Sequence, residues 1–397
     1  MSKNNKTPAI RFKGFTDDWE QREFSSIMSE SLSNGIMNNP GTNEFGTLHI
    51  NVINMYTPDN IHIEDLESSA CSLSDIQKCN VEVGDIFMTR SSLKPTGIAE
   101  ANVLLKTGSF VYDDHLIRMK VTDNYYPMFV KILLSTPFVK KQFIVKSKTT
   151  AFTTIGQEDI SASYGLFPQK EEQKKIGEFL TDLDTLITFH QRKYDKLIQF
   201  KAAMLQKMFP QNGADKPEIR FRGFTDAWEQ RKVGELCSIS TGKSNTQDKI
   251  DDGIYPFYVR SPIIEKSNKY LYDEEAVITV GDGVGTGKVF HYVNGKYDLH
   301  QRCYRMYGFS DELDAKYFYH VFSQFFYIRV MAMTAKTSVD SVRLEMISDM
   351  EIPTPCIKEQ RAIGQCLSNL DNLITFHQRK CEKYKSIKAG LLKKLFP

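Results

Sequence analysis

A thirteen-residue segment occurs twice in this chain, and this repeat constrains the fold more than any other feature. Residues 10–22 read IRFKGFTDDWEQR and residues 219–231 read IRFRGFTDAWEQR, so eleven of the thirteen positions are identical. The only two tryptophans, Trp19 and Trp228, stand at matching places. Because repeats of this kind fold as equivalent units, the sequence predicts two half-frames of about 200 residues each.

Each half closes on a second repeat. LITFHQRK occurs at 186–193 and at 373–380, and the residues that precede it also match. The segments between the repeats share little sequence, which indicates one scaffold that presents two different surfaces. The predicted segments are a signature segment at 1–22, a variable domain at 23–167, a long helix at 168–210, a linker with the second signature at 211–231, a variable domain at 232–354 and a long helix at 355–397.

Both closing segments carry apolar or large residues at alternating spacings of four and three, the heptad pattern of a coiled coil. Each helix is expected to be about 40 residues, or about 60 Å, long. Two such helices in one chain are expected to pair as an antiparallel coiled coil, which gives a pseudo-twofold axis and a circular frame. The predicted seam comprises Ile176, Leu180, Leu183, Ile187, His190, Tyr194, Leu197, Ile363, Leu367, Leu370, Ile374, His377, Cys381 and Tyr384.

Two histidines and two lysines fall on this seam. His190 and His377 indicate either a pH-sensitive or metal site on the axis, or polar residues that fix the register of the helices. The second interpretation is favoured, because single buried polar groups have this effect in coiled coils. The long side chains of Lys201 and Lys388 are expected to reach water from the seam.

The variable domains mix short runs of Val, Ile, Phe and Tyr with Gly, Asp and Asn turns, which predicts two α/β or α+β domains. Polar loops follow predicted strands, and Lys-, Thr- and Ser-rich segments at 146–155 and 335–347 precede the long helices. Such side chains suit contacts with phosphates and base edges, although solvated loops have the same composition. The candidate DNA-binding residues are Arg90, Ser91, Ser92, Lys94, Thr96, Lys146, Lys148, Thr149, Thr150, Arg260, Asp282, Thr286, Lys288, Gln301, Arg302, Lys336, Thr337, Ser338 and Arg343.

Motifs of catalysis are absent from the sequence. The glycine cluster GDGVGTGK at 281–288 does not match a P-loop, which requires Gly at Asp282 and Ser or Thr at Val289, so a tight hairpin is the better interpretation. The chain has no G-x-S-x-G, no H-E-x-x-H and no Asp/Asn-Pro-Pro-Tyr/Phe tetrapeptide of amino-methyltransferases. These observations favour a binding module over an enzyme, with no catalytic or metal-binding residue.

Composition indicates the cellular compartment in which such a chain is expected. Hydrophobic residues make up 41% and charged residues 25%, as in an ordinary folded soluble protein. No run approaches the ~20 apolar residues of a membrane span, and the polar start lacks the apolar segment of a signal peptide. The seven cysteines show no C-x-x-C spacing, which favours reduced thiols. We expect a cytoplasmic protein that does not contact a membrane.

Together, the signature R-F-x-G-F-T-x-x-W-E-x-R and the closing motif E-Q-x-x-I-G-x-x-L-x-x-L-D-x-L-I-x-x-x-Q-R-K resemble the specificity subunits of type I restriction–modification systems. The resemblance covers essentially the whole chain. It implies a non-catalytic subunit whose two target recognition domains each read one half of an asymmetric bipartite site in double-stranded DNA, with the coiled coil setting the gap. It also implies two methyltransferase (modification) subunits docked on the coiled coil, and restriction (translocase–nuclease) subunits attached through them. S-adenosylmethionine, ATP and Mg²⁺ then belong to those partners, and this chain binds no cofactor.

The net charge of +2 is an average over unlike segments. The first variable domain holds 16 acidic against 11 basic side chains, and the second holds 17 against 14. This chain alone is therefore expected to bind DNA phosphates weakly. The methyltransferase subunits are expected to supply many of the phosphate contacts. Two other classes stay open: a coiled-coil scaffold that reads no DNA, and a DNA methyltransferase or nuclease with unrecognised motifs.

Overall fold

The computed structural model describes residues 7–211, 214–283, 285–333 and 341–397. The chain divides into two compact units, the first formed by Met1–Arg192 and Gln378–Pro397 and the second by Lys193–His377. Both long helices therefore contribute to both units. No helix in the described ranges combines the length and the apolar character that a membrane crossing needs.

The first unit contains small sheets and short helices that lead into the first long helix. Its strands are β1 (Glu20–Glu23), β2 (Ser33–Asn34), β3 (Leu48–Ile50), β4 (Glu67–Ser68), β5 (Ile86–Thr89), β6 (Ser91–Ser92), β7 (Ala101–Val103), β8 (Phe110–Tyr112), β9 (Leu116–Met119), β10 (Lys148–Thr149), β11 (Thr153–Thr154) and β12 (Tyr164–Phe167). Its helices are α1 (Leu73–Cys79), α2 (Pro127–Leu134), α3 (Pro137–Lys146), α4 (Gln157–Ser161) and the start of α5 (Lys170–Lys207). The strand orders are β1-β12, β2-β9-β5-β7, β4-β3-β8 and β10-β11-β6.

The second unit is built on a larger sheet of order β14-β19-β17-β18-β15-β16, with a separate pair β13-β20. Its strands are β13 (Glu229–Lys232), β14 (Ser238–Thr241), β15 (Tyr255–Tyr258), β16 (Glu265–Ser267), β17 (Tyr272–Val280), β18 (Phe290–Leu299), β19 (Cys303–Tyr307) and β20 (Glu351–Thr354). Its helices are α6 (Val233–Leu236), α7 (Ala315–Ala332), α8 (Leu344–Ser348) and the start of α9 (Ile357–Leu395).

Strand direction decides between the two predicted fold classes. In the described residues, neighbouring strands run antiparallel except for the parallel pairs β3–β8 and β15–β18. Predominantly antiparallel sheets with helices packed beside them are typical of α+β domains. The variable domains are therefore α+β rather than α/β.

The glycine cluster connects two strands of a hairpin, as predicted, but the hairpin is not tight. Strands β17 and β18 pair from Thr279 with Phe290 onward, so their connection is longer than a two-residue turn. Asp282 is drawn away from the hairpin into a β-bridge with Ser341. This bridge requires a longer connection than a two-residue turn provides.

Each signature strand pairs with the strand that enters a long helix. Strand β1 pairs with β12, and β13 pairs with β20. The ends of the long helices also reach the signatures: the rings of Phe396 and Trp19 meet at 5.8 Å in the first unit, and those of Phe209 and Trp228 meet at 6.4 Å in the second. The two signature tryptophans are thus buried in equivalent cores.

The E-Q-x-x-I-G motif joins helix α5 to the variable domain of the first unit. The Gln173 side chain accepts a hydrogen bond from the Tyr126 backbone N–H at 3.0 Å and donates to the Pro168 carbonyl at 2.9 Å. A Cβ on Gly177 would lie 2.7 Å from the Tyr126 ring. Glycine at this position lets α2 approach the long helix closely.

The second copy of the motif makes the same contacts on α9. The Gln360 side chain accepts from the Asp314 backbone N–H at 3.0 Å and donates to the Pro355 carbonyl at 2.8 Å. A Cβ on Gly364 would lie 2.7 Å from the Tyr317 backbone nitrogen. The motif therefore positions α7 against α9 as it positions α2 against α5.

All fourteen predicted seam residues are buried or half-buried. In the first unit, Lys388 Nζ contacts Asp184 Oδ1 at 2.5 Å, and Cys381 Sγ lies 3.4 Å from Gln191 Oε1. Asp184 contacts Lys388, and the later residue Gln191 contacts the earlier residue Cys381, so these two segments run antiparallel. The buried seam residues are Ile176, Leu180, Leu183, Ile187, His190, Ile363, Leu367, Leu370 and Cys381, and the half-buried ones are Tyr194, Leu197, Ile374, His377 and Tyr384.

The seam lysines reach water only in part, since 20% of the Lys201 side chain and 23% of the Lys388 side chain are exposed. Lys388 pairs with Asp184 in the first unit, and Lys201 pairs with Asp371 in the second. Each aspartate belongs to the repeated L-D-x-L-I motif and is partly or wholly screened from water. A carboxylate within reach in a low-dielectric site holds the ammonium more strongly than an exposed one does.

Candidate nucleic-acid interface

In the first unit, the sheet β10-β11-β6 brings together two candidate segments that are far apart in the sequence. Thr153 and Thr154 pair with Ser92 and Ser91 on one side and with β10 on the other. The Ile155 N–H donates to the Arg90 carbonyl at 3.1 Å. The segment 146–155 is therefore partly a strand pair rather than only a solvated loop, and it forms one surface with residues 90–96.

The second unit makes the equivalent connection at the end of β17. Asp282 forms a β-bridge with Ser341, and the Val342 N–H donates to the Gly281 carbonyl at 2.7 Å. In each unit, the strand that ends at this point, β5 or β17, pairs with the strand that carries the Arg-Met pair, β9 or β19. The polar segments thus converge at one equivalent position in both units.

A charged cluster occupies this position in the second unit. Asp282 lies between Arg260 and Arg302, at 3.3 and 3.2 Å. Next to it, the Gln301 side-chain amide donates to the Asn245 side-chain oxygen at 2.6 Å. Arginine, aspartate, glutamine and asparagine are the side chains that recognise base edges, so the cluster is suited to contact DNA.

The corresponding turn of the first unit, 113–115, was missed by the sequence analysis. Nδ1 of His115 lies 3.0 Å from Asp113 Oδ1 and 2.9 Å from Asp114 Oδ1. Ligand atoms of the three residues lie within 4.8 Å of one another, but the ring nitrogen already contacts the carboxylates, so we assign no metal to them. The signal that finds this turn is D-D-H-L-I-R-M at 113–119 beside H-Q-R-C-Y-R-M at 300–306, which share the final Arg-Met.

In each unit, one glycine allows a further loop to pack closely against the turn. A Cβ on Gly35 would lie 1.8 Å from the Tyr112 carbonyl oxygen, and a Cβ on Gly242 would lie 2.2 Å from the Leu299 carbonyl oxygen. Each glycine follows the first strand of its sheet, in S-N-G and S-T-G. These loops, which include Asn245, are a part of the surface that the sequence analysis also missed.

The other predicted residues differ in exposure. The exposed ones are Arg90, Lys94, Thr96, Lys148, Thr149, Thr150, Arg260, Lys288, Gln301, Arg302 and Arg343, and the half-buried ones are Ser91, Ser92, Lys146 and Asp282. Thr286 is buried and donates its hydroxyl to the Gly283 carbonyl at 2.5 Å, so it caps a turn instead of facing a ligand. Lys336, Thr337 and Ser338 lie outside the described residues.

Two of the predicted lysines point elsewhere. Lys288 Nζ lies 4.7 Å from the centre of the Tyr327 ring on α7. Lys146 Nζ lies 3.4 Å from the Asp159 carbonyl. Both contacts draw these side chains toward helices and away from the convergent loops.

His300 shapes the turn that carries Arg302. Its Nδ1 accepts a hydrogen bond from the Arg302 backbone N–H at 3.0 Å, which requires an unprotonated nitrogen. Burial, and next the charge of Arg260, lower the pKa of His300. Both effects favour the neutral ring that this hydrogen bond requires.

The pattern of two equivalent frames with unlike loops agrees with a known family. The family described as the type I restriction modification DNA specificity domain matches residues 36–199 and 225–385. The chain belongs to this family. As a type I restriction–modification specificity subunit, it is a non-catalytic component, in agreement with the prediction from its sequence.

Relatives of this specificity subunit support the assignment over different lengths. The type I restriction enzyme MjaVIII specificity subunit of Methanocaldococcus jannaschii is 24% identical over 299 residues, 69% of each chain. The EcoKI specificity subunit of Escherichia coli is 29% identical over 162 residues, which is 40% of this chain and 34% of that one. The crystal structure of a type I restriction–modification S subunit from M. genitalium covers 98% of this chain and 99% of its own, with a TM-score of 0.72 and 15% identity, and therefore has a similar fold.

Proposed function

We propose that this chain is the DNA sequence-recognition subunit of a type I restriction–modification complex. In this proposal, 23–167 and 232–354 are target recognition domains that each read one half of an asymmetric bipartite site in double-stranded DNA. The observation that carries the proposal is the convergence of polar side chains, of types that can contact base edges, at equivalent positions of two α+β domains with different sequences. A duplicated scaffold with unlike loops is what two different half-sites require.

We further propose that the long helices pair along their length as an antiparallel coiled coil that sets the gap between half-sites. Support comes from the Asp184–Lys388 and Asp371–Lys201 pairs, which repeat within the two units. Two recognition domains held by one rigid spacer bind with an effective concentration that a single domain lacks. Half-site centres about one helical turn, ~34–36 Å, apart are contacted from the same side of the duplex.

The outer sides of the long helices are the proposed docking surfaces for two methyltransferase subunits, through which restriction subunits attach. The repeated LITFHQRK places Leu186 and Phe189 on α5, and Leu373 and Phe376 on α9, at equivalent positions. The two phenylalanines are 49% and 50% exposed. Large exposed apolar side chains that recur in both helices indicate two equivalent protein contacts.

The net acidic charge of the variable domains supports a complex in which the partner subunits share the DNA contacts. Sequence-independent binding depends on the neutralisation of phosphates by basic side chains. Both variable domains carry more acidic than basic side chains. The proposed methyltransferase partners therefore supply much of the phosphate contact.

The test is to map methylated adenines in cells that express the chain with its methyltransferase partner, and to footprint the reconstituted complex. One bipartite motif that is both methylated and protected is the expected result. The competing scaffold function predicts an assembled complex that protects no bipartite site.

A further inference from the structure

One carboxylate in the second unit is shared between two arginines. Asp282 Oδ1 lies 3.3 Å from Arg260 Nη1, and Asp282 Oδ2 lies 3.2 Å from Arg302 Nη1. The Arg302 side chain is 62% exposed and that of Arg260 is 47% exposed, whereas Asp282 is 23% exposed. Each arginine contacts the carboxylate through one nitrogen, whereas a guanidinium carries five N–H donors.

The backbone beneath this cluster is held by several bonds. The Gly281 N–H donates to the Arg302 carbonyl at 2.8 Å, and a Cβ on Gly281 would lie 2.6 Å from the same oxygen. The bridge from Asp282 to Ser341 fixes the other side. The cluster borders a cleft of about 350 Å³ that Thr241 and Tyr304 also line. The charged groups therefore project from backbone that is hydrogen-bonded to neighbouring segments, which favours precise recognition.

The carboxylate distinguishes a base contact from a phosphate contact. A phosphate on Arg302 would lie close to the negative charge of Asp282, and the two anions would repel each other. A base edge is neutral and suffers no such repulsion. The single contact from Asp282 Oδ2 to Arg302 Nη1, at 3.2 Å, also orients the other N–H groups of the guanidinium, which a base contact requires and a simple charge contact does not.

Among the bases, guanine matches these donors. Its major-groove edge presents two acceptors, N7 and O6, to the paired N–H groups of an arginine, whereas adenine presents a donor beside its acceptor. We infer that Arg302 recognises a guanine in the half-site of the second domain and that Asp282 is the positioning residue that orients Arg302. This inference rests on the proposed function and adds to it the base that is read.

The first unit lacks this arrangement at the equivalent turn. His115 stands in the place of Arg302, and it contacts Asp113 and Asp114. Ser91 stands in the place of Asp282, since it pairs with Thr154 as Asp282 bridges to Ser341. The guanine contact inferred for Arg302 is therefore assigned to the half-site of the second domain.

The test compares methylation motifs in cells that express the methyltransferase partner with wild type, Arg302→Ala, Asp282→Asn or Lys266→Ala. Lys266 is an exposed lysine on the edge strand β16 and serves as the matched control. We expect an invariant G·C pair in one wild-type half-site, where Arg302→Ala lowers discrimination about 10- to 100-fold. Asp282→Asn is expected to relax the same pair to a smaller extent, and Lys266→Ala to leave the motif unchanged.

The inference is overturned if Arg302→Ala changes no base preference, if it relaxes an A·T pair, or if the two variants relax different pairs. The proposed function fails separately, by the absence of any bipartite methylated motif with the wild-type chain.

A second measurement distinguishes the loss of one base contact from a loss of binding that is caused by misfolding. The reconstituted complex is titrated with duplexes that carry guanine or 7-deazaguanine, which lacks N7, at the assigned pair. Wild type should bind the 7-deazaguanine duplex about tenfold more weakly, because one charge-assisted hydrogen bond is lost, and Arg302→Ala should bind both duplexes equally. An equal loss in both proteins would assign N7 to another residue.

Discussion

Arg220 holds Glu359 through two parallel hydrogen bonds, from Nε to Oε1 at 2.6 Å and from Nη2 to Oε2 at 2.7 Å. Arg11 holds Glu172 in the same way, at 2.8 and 2.6 Å. The arginines belong to the two signature segments, and the glutamates belong to the E-Q motif of the long helices. Bidentate pairs of this kind fix orientation as well as position. The two repeats of each half are thus joined to each other by one ion pair.

Removal of Glu359 should be costly, because its side chain is completely buried and Arg220 would remain without its partner. We expect Glu359→Ala to lower the free energy of unfolding by about 3–5 kcal/mol, measured by urea denaturation. The control is Glu235→Ala, which breaks the exposed pair with Arg231 and should cost less than about 1 kcal/mol. Similar losses for both variants would contradict a structural role for the buried pair.

The glycines of the second long helix should respond to alanine in opposite directions. Gly364→Ala places a Cβ 2.7 Å from the Tyr317 nitrogen and should destabilise the protein by about 1–3 kcal/mol. Gly390 has nothing within 4 Å of such a Cβ, so Gly390→Ala should stabilise the helix by about 0.5–1 kcal/mol. Thermal unfolding of the two variants provides the comparison. A stabilising effect of Gly364→Ala would show that α7 and α9 do not need this close approach.

Acid should destabilise the protein through His320. Burial, and next the charge of Lys201, lower the pKa of His320 to about 3 from its usual 6.5. Between these values the unfolded chain binds a proton that the folded chain does not, so stability is complete above pH 6.5 and falls as the pH decreases toward 3.

The measurement is the urea midpoint of wild type and His320→Gln at pH 8, 7 and 5. Between pH 7 and 5, wild type should lose about 2 kcal/mol more than the variant, at about 1.4 kcal/mol per pKa unit. Between pH 8 and 7 the two proteins should behave alike. Parallel losses over the whole range would mean that His320 takes up its proton in the folded state.

Arg90 should act on one half-site only. Arg90→Ala is expected to weaken binding or methylation by about 1–3 kcal/mol at the half-site of the first domain, if the side chain contacts a base, and to leave the other half-site unchanged. The control is Lys106→Ala. Lys106 is an exposed lysine in the loop that precedes β8, whereas the turn 113–115 follows that strand. Competition with duplexes altered in one half-site at a time measures the effect. A uniform loss over all sequences would assign Arg90 to a phosphate instead.

The long helices should determine the gap. Insertion of seven residues into each helix, after Lys193 and Lys380, keeps the heptad pattern and adds about 10 Å, or about three base pairs. The expected motif keeps both half-sites and gains a longer gap. Altered half-site bases with an unchanged gap would show that the helices are not the spacer.

The frame could be predicted from the sequence because its signals are local or repeated. Two copies of one signature and of LITFHQRK indicate equivalent halves. A spacing of four and three residues specifies a helix and its apolar side within a single segment. For the same reason, the predicted long helices at 168–210 and 355–397 contain the observed α5 and α9 within a few residues at each end.

The surface that is proposed to read DNA was decided by tertiary structure. Thr154 meets Ser91, and Asp282 meets Ser341 and Arg302, only because strands distant in the sequence pair with each other. The same pairing buries Thr286 and makes His115 the counterpart of Arg302. Sequence alone thus determined that this chain has two equivalent halves joined by long helices, since the periodicity and identity of segments are properties of the chain itself. Which polar side chains share a surface depends on non-local strand register, and a shift of one residue in that register turns each side chain to the opposite face of the sheet.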